Sequence, residues 1–203
     1  MKILFINHNA GSPYHGPNLR TYYAAKQLIK RGHSVKIVSS SYSHKYIRTP
    51  KIKDIITSEN IDGIEYNWIK CLKYKNLIQR VISHFQFGFR LLYNRKEISF
   101  KIDRIIFSGP PPELFIFSWI LALSIKIPIY SDIRDIWPKT QLEMSKVHWI
   151  NPYTYLLFLS QFLIIFFSKK IISPLPGIKN HIKKFGRTSN IWIIENGIEN
   201  NAV

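Results

Sequence analysis

The residues best placed to do chemistry in this chain are Asp132, Arg134 and Asp135, which close the stretch IPIYSDIRDIWP from Ile127 to Pro138. The stretch opens as a short apolar run of the kind a buried parallel strand needs. Proline cannot extend a central strand, so the strand ends near Pro138. Two carboxylates and a guanidinium thus fall at a strand's C-terminal edge, where open α/β sheets bind ligands. The competing reading is an Asp–Arg pair that only closes the strand end.

Other chemistries are poorly supplied. The seven histidines are scattered (His8, His15, His33, His44, His84, His148 and His181), with no pair at metal-ligand spacing. No cysteine lies near to help, so no metal site is expected. There is no Walker A loop and no G-x-S-x-G elbow, which leaves hydrolase triad chemistry unsupported. His8 and His15 frame the first strand–helix loop and are placed to face a cleft, whereas His33 is expected to pack the turn into the second strand. The single cysteine, Cys71, excludes a disulfide framework and is expected to be a packing residue.

These groups need a scaffold, and the chain alternates strand and helix as doubly wound folds do. Lys2 to His8 reads as a buried strand and Asn9 to Pro17 as a loop. Asn18 to Arg31 reads as a helix, with Asn18 as N-cap and Gly32 beyond its end. His33 to Ser40 is the second strand. The helix start offers free N–H groups that suit a phosphate. The loop holds only Gly11 and Gly16, and no acid ends the second strand, so no dinucleotide cofactor is expected.

Ser41 to Asn60 reads as a basic loop, and Ile64 to Lys70 as a strand at the sheet's edge. Asn76 to about Arg95 reads as an amphipathic helix. Ile102 to Phe107 is a strand, Ser108 to Pro112 a turn, and Glu113 to Ser124 an apolar helix. Lys139 to Asn151 is a loop or short helix. Pro152 to Ser168 carries no charge and is slightly shorter than the ~20 residues a membrane-spanning helix needs. It is expected to be a buried or membrane-facing helix, because a strand, Lys170 to Ser173, follows at once. A basic helix from Pro176 to Gly186, a strand from Asn190 to Glu195 and an Asn196–Gly197 turn complete the chain. No internal repeat or linker divides it, so a single domain over 1–203 is expected.

At 46% hydrophobic content global disorder is excluded. A net charge of +17 predicts an anionic partner: a membrane surface, nucleic acid or phosphorylated ligands. Aromatic residues sit beside Lys and Arg, a mixture that interfacial helices favour and that single-stranded nucleic-acid binders share. No nucleic-acid recognition motif accompanies the charge, so nucleic acid is not expected as a partner. The opening MKILFINHNAG is too short an apolar run for a signal peptide.

Several blocks in order resemble glycosyltransferase family 4 enzymes of the GT-B architecture. They are KILFINHNAGSPYHGPNLR, RGHSVKIVSSSYSHK, IDGIEYNWIK with KYKN, SGPPP, RDIWP, NPY, SPLPG and ENGIE. Within that family the chain is similar to the N-acetyl-L-fucosamine transferases of bacterial O-antigen and capsule synthesis.

The resemblance implies a Rossmann-like, mainly parallel α/β sheet with helices on both faces, the N-terminal half of a GT-B fold. That half would bind a polyprenyl-diphosphate-linked sugar acceptor, working in the cytoplasm as a peripheral protein on the inner face of the bacterial plasma membrane. Transfer would be retaining, without metal or cofactor beyond a nucleotide-sugar co-substrate. The RDIWP block takes a cleft-edge position that many relatives fill with a histidine. Asp135 and Asp132 would be catalytic there, steadying the acceptor hydroxyl and the developing positive charge. The Tyr14–Pro17 loop matches the family's first glycine-rich loop, with Pro17 in place of its second glycine. His15, Gly16, Asn18, Arg20, Ser108 and Arg134 would bind substrate. The sequence stops just after ENGIE, where the resemblance places a nucleotide-sugar domain. It is therefore expected to be inactive alone and to need a donor-binding domain or subunit in trans. The alternative is a non-catalytic, membrane-associated binding subunit that recruits a partner.

Overall fold

The computed structural model describes residues 1–144, 148–186 and 190–196. In chain order the elements are β1 (Lys2–Ile6), α1 (Arg20–Lys30), β2 (Ser34–Ser40), β3 (Ile56–Ile61), β4 (Ile64–Ile69), α2 (Leu77–Tyr93), α3 (Arg95–Ile98) and β5 (Arg104–Ser108). There follow α4 (Leu114–Ser124), β6 (Ile129–Asp132), α5 (Lys139–Glu143), α6 (Pro152–Phe167), β7 (Ile171–Ser173), α7 (Ile178–Lys183) and β8 (Ile191–Ile193). The strands form one sheet in the order β3-β4-β2-β1-β5-β6-β7-β8, parallel throughout except for β3. The doubly wound α/β reading therefore holds.

Strand alternation decides what each face carries. Leu4 and Ile6 of β1 enter one core with Phe87 of α2, Phe115 and Leu121 of α4, and Ile164 of α6. Ile3 and Phe5 enter the other with Tyr22 and Ala25 of α1 and with Tyr66 and Trp68 of β4. Helices thus cover both faces, and the central strands β1 and β5 read as near-continuous apolar runs because they are largely buried on both. Gly88 of α2 sits against the Phe117 ring, and a Cβ there would run into it, so α2 and α4 lie in close contact.

Three local readings are corrected. Residues 56–60, expected in the basic loop Ser41 to Asn60, belong instead to an edge strand, Ile56–Ile61, that pairs antiparallel with β4. Hence β4 is not an edge; it lies between β3 and β2. Asn18 does not cap α1, whose N-cap is Leu19 without a side-chain cap bond. The Asn18 side chain is engaged in tertiary hydrogen bonds instead. Cys71 is buried, and burial pushes its thiol up to about 11, as suits a packing residue. Among the described residues no helix is long and apolar enough to cross a membrane. Gly197 of the expected Asn196–Gly197 turn lies outside the described residues, as do residues 145–147 of the expected 139–151 segment.

Strand β1 sits between β2 and β5, and the crossovers diverge on either side of it. That divergence is the topological switch point, where an open α/β sheet leaves a crevice at the strand C-termini.

Candidate functional site

The loops after β1, β5 and β6 meet at this crevice and are tied together by side chains. Asp132, the last residue of β6, is 7% exposed. Its carboxylate accepts from Arg20 Nη2 (3.0 Å), from Arg20 Nε (3.1 Å to Oδ2) and from Ser108 Oγ (3.0 Å). Arg20 opens α1 and also donates to Asn196 Oδ1 (2.7 Å) and to the Ile194 carbonyl (3.0 Å). Arg134 donates from Nε to the Gly109 carbonyl (3.0 Å) and from Nη1 to Asn18 Oδ1 (2.8 Å). Asn18 in turn donates to the Asn9 carbonyl (2.7 Å). Burial lowers the pKa of Arg134, an effect that Asp132 opposes.

Five of the expected site residues are thus brought into one network: Asn18, Arg20, Ser108, Asp132 and Arg134. With both oxygens of Asp132 engaged by cationic and hydroxyl donors, its chemistry is to hold Arg20 and Ser108 in place. Asp135 stands apart. It is half-buried, makes no side-chain hydrogen bond among the described residues, and lines a narrow depression with Arg134, Trp137 and Gln161. Gln161, on the buried side of α6, has both amide atoms sealed from solvent without a hydrogen-bond partner among the described residues.

His15 and Gly16 lie on the other side of the β1 loop. The His15 ring is 4.8 Å from Trp68, its Nδ1 is 2.8 Å from Ser12 Oγ, and its Nε2 is 3.7 Å from Glu59. Burial lowers its pKa. Gly16 has φ +149°, and a Cβ there would lie 2.9 Å from the Lys45 carbonyl oxygen. Its close approach is to the backbone of the loop after β2. Gly16→Ala should therefore cost about 1–3 kcal/mol in an equilibrium urea melt, by strain at a backbone conformation that side chains disfavour.

The sequence reading overlooked a second polar cluster, on the α2 side of β1. Glu113, immediately before α4, is buried and its Oε1 lies 2.7 Å from His84 Nδ1 and 2.9 Å from the Tyr153 hydroxyl. The His8 ring meets the His84 ring edge-on at 4.8 Å. Asn9 Nδ2 donates to the Pro110 carbonyl, so Asn9 Oδ1 must accept from His8 Nδ1 (3.1 Å). That fixes the tautomer and leaves His8 Nε2 as a bare acceptor, buried without a partner among the described residues. The available signal was His8 itself, two residues beyond the end of β1 beside the switch point.

Burial, then the neighbouring His84, lowers the pKa of His8 well below its ordinary 6.5. Native His8 stays neutral while the unfolded chain takes up a proton below about pH 6.5. The unfolded state then binds more protons, so stability falls as pH drops below that point, by up to about 1.4 kcal/mol per pH unit for this group. His15, His44 and His181 are lowered chiefly by burial too and act in the same direction. Urea midpoints between pH 7.5 and 5.5 should show this slope, and His8→Gln should flatten it.

A roomier depression, lined by Lys2, Ser34, Glu65 and Phe100, lies at the opposite, N-terminal edge of the strands. It holds none of the groups described above, and no chemistry is assigned to it.

No protein-family model matches the chain, and no curated protein matches it in sequence. Solved structures do match. LpCGTa in complex with UDP superposes with a TM-score of 0.61 at 9% identity, over 97% of this chain and 53% of that one. Anabaena Alr3699/HepE in complex with UDP and glucose gives 0.58 at 15% identity, over 99% of this chain and 46% of that one. The chain has the fold of a GT-B half-domain. It spans about half the length of the proteins it superposes on.

Proposed function

We propose that this GT-B half-domain is the acceptor side of a retaining glycosyltransferase of the family 4 type, taking a polyprenyl-diphosphate-linked sugar in surface-polysaccharide synthesis. The observation that carries the reading is the braced rim of Arg20, Ser108, Asp132 and Arg134 at the switch point. Structures sharing the fold hold UDP, and one also holds glucose, which supports nucleotide-sugar chemistry opposite such a rim. In this reading Asp135 steadies the acceptor hydroxyl and the positive charge developing on the transferred sugar. Arg134 attracts the diphosphate, and Asp132 keeps Arg20 and Ser108 in register. The donor site belongs to a second domain or subunit, and the protein works at the inner face of the bacterial plasma membrane.

The test uses a water-soluble farnesyl-diphosphate-linked acetamido sugar as acceptor. Calorimetry should detect its binding to the chain, and transfer should appear when a donor domain is supplied. Asp135→Ala should then lower transfer by about a hundredfold with acceptor binding kept within a few-fold. Equal transfer by Asp135→Ala would sink the assignment. The second reading, a non-catalytic membrane-associated subunit, is favoured by the apolar outer surface of α6. It predicts no transfer with any donor domain and no effect of Asp135→Ala.

A further inference from the structure

Helix α6 is apolar on its outer side as well as its inner one. Its outward side chains are Tyr155, Phe158, Leu159, Phe162, Phe166 and Phe167, between 39% and 62% exposed. Its buried side carries Leu157, Ile164 and Ile165 together with Thr154, Ser160 and Gln161. No charged residue occurs between Pro152 and Phe167. A surface helix of a water-facing domain carries apolar residues toward the core and charges outside; α6 has the first and lacks the second. The adjoining α4 extends the apolar surface with exposed Ile120 and Leu123, and Trp119 packs its ring 4.4 Å from Phe167. Exposed Lys126 and Lys169 follow the C-terminal ends of these two helices. Contiguous apolar surface of this kind, rimmed by polar groups, marks an interaction site.

Charge selects the occupant. A chain with a net charge of +17, and lysines at the border of an uncharged aromatic face, complements an anionic bilayer surface, where rings sit at headgroup depth and lysines meet lipid phosphates. The 16-residue helix is about 24 Å long, short of the ~30 Å hydrocarbon core, so it suits lying in the interface. We propose that the outer face of α6, with Ile120 and Leu123 of α4, rests in the interfacial layer of an anionic membrane.

The opposite side of α6 carries Gln161 into the depression shared with Asp132, Arg134 and Asp135. Docking would therefore hold the rim about one helix diameter, ~10–12 Å, from the lipid surface. This orientation rests on the reading of the chain as acting on a lipid-linked acceptor; the docking itself does not.

Flotation with vesicles of 30% phosphatidylglycerol in phosphatidylcholine, containing no acceptor lipid, tests the face alone. The wild-type chain should float with these vesicles, less with pure phosphatidylcholine, and should weaken as salt is raised without being lost. The double variant Phe158→Gln/Phe162→Gln, checked for fold by circular dichroism, should bind at least tenfold more weakly. Leu159→Trp should gain fluorescence that brominated acyl chains quench, beyond any quenching of the parent protein. Unchanged binding by the double variant, or an unquenched tryptophan, overturns the proposal. So does a chain that ignores vesicles and forms a dimer the double variant dissolves, since the face would then serve protein. Failure here alongside binding of the farnesyl-linked acceptor would leave the acceptor reading standing.

Discussion

Asp132→Ala should lower the stability of this protein by about 3 kcal/mol, whereas Asp135→Ala, three residues on, should cost no more than about 0.5 kcal/mol. The contrast follows from partners. Asp132 accepts from Arg20 and Ser108 with side-chain exposures of 9% for the aspartate and 17% for the arginine. Removing one member of such a pair leaves the other charge poorly solvated, which costs more than the pair itself is worth. Arg20 keeps Asn196 Oδ1 and the Ile194 carbonyl, so the loss falls at the lower end of the ~3–5 kcal/mol that breaking a buried ion pair costs. Asp132→Asn retains the shape and an acceptor for Ser108 and should cost about half as much. Urea denaturation of the three variants at pH 7 checks the order. A loss for Asp135→Ala as large as for Asp132→Ala would mean that the carboxylates share one role. Under the proposed acceptor role, acceptor binding should also weaken in Asp132→Ala, because Arg20 would lose its carboxylate partner in the crevice.

The parts legible in the sequence were those written in apolar runs. The strand expected at Lys2–His8, the helix expected from Asn18 and the strand expected in Ile127–Pro138 are present as β1, α1 and β6, although β6 ends at Asp132, well before Pro138, and together they give the doubly wound order. β3 escaped because its middle residues, Ser58, Glu59 and Asn60, are exposed and show no apolar alternation. The hairpin is announced instead by Asp62–Gly63, both at positive φ, the dipeptide that tight antiparallel turns favour. Asn18 misled because capping is a local signal, whereas its amide is recruited by Arg134, distant in sequence, and by the Asn9 carbonyl. His15 and Glu113 show the same limit. Residue type marks a group able to do chemistry, but only packing decides which side of the β1 loop it faces. The apolarity of α6 was plain in its letters; that its aromatic side turns outward was not, since one uncharged helix serves a core or a membrane equally well.

Glu113→Ala should cost about 3–5 kcal/mol, the largest loss expected of any single change here. Glu113 is 1% exposed, and its removal strips partners from His84 and Tyr153 together. Burial, then the nearby Glu113, raises the Tyr153 pKa, so the phenol stays protonated and must donate to something. A bland alternative exists, because Glu113 precedes the first residue of α4 and an acid there could act simply as a helix cap. The geometry opposes it: Glu113 makes no side-chain cap bond, and its Oε1 is turned to α2 and α6. The two explanations part on Glu113→Ser. Serine is among the best caps, so a capping role would be rescued and stability would return to near wild type. A bridging role would not, because serine is too short to reach His84 or Tyr153, and the loss should match that of alanine. Glu113→Gln should fall between, since its amide oxygen can still accept from Tyr153. Urea unfolding of the three variants separates these outcomes. The bridge matters for function because it joins α2 to the start of α6, the helix whose buried side lines the depression beside Asp135. If the proposed acceptor role holds, loss of the bridge should slow transfer with a supplied donor domain even at temperatures where the variant remains folded.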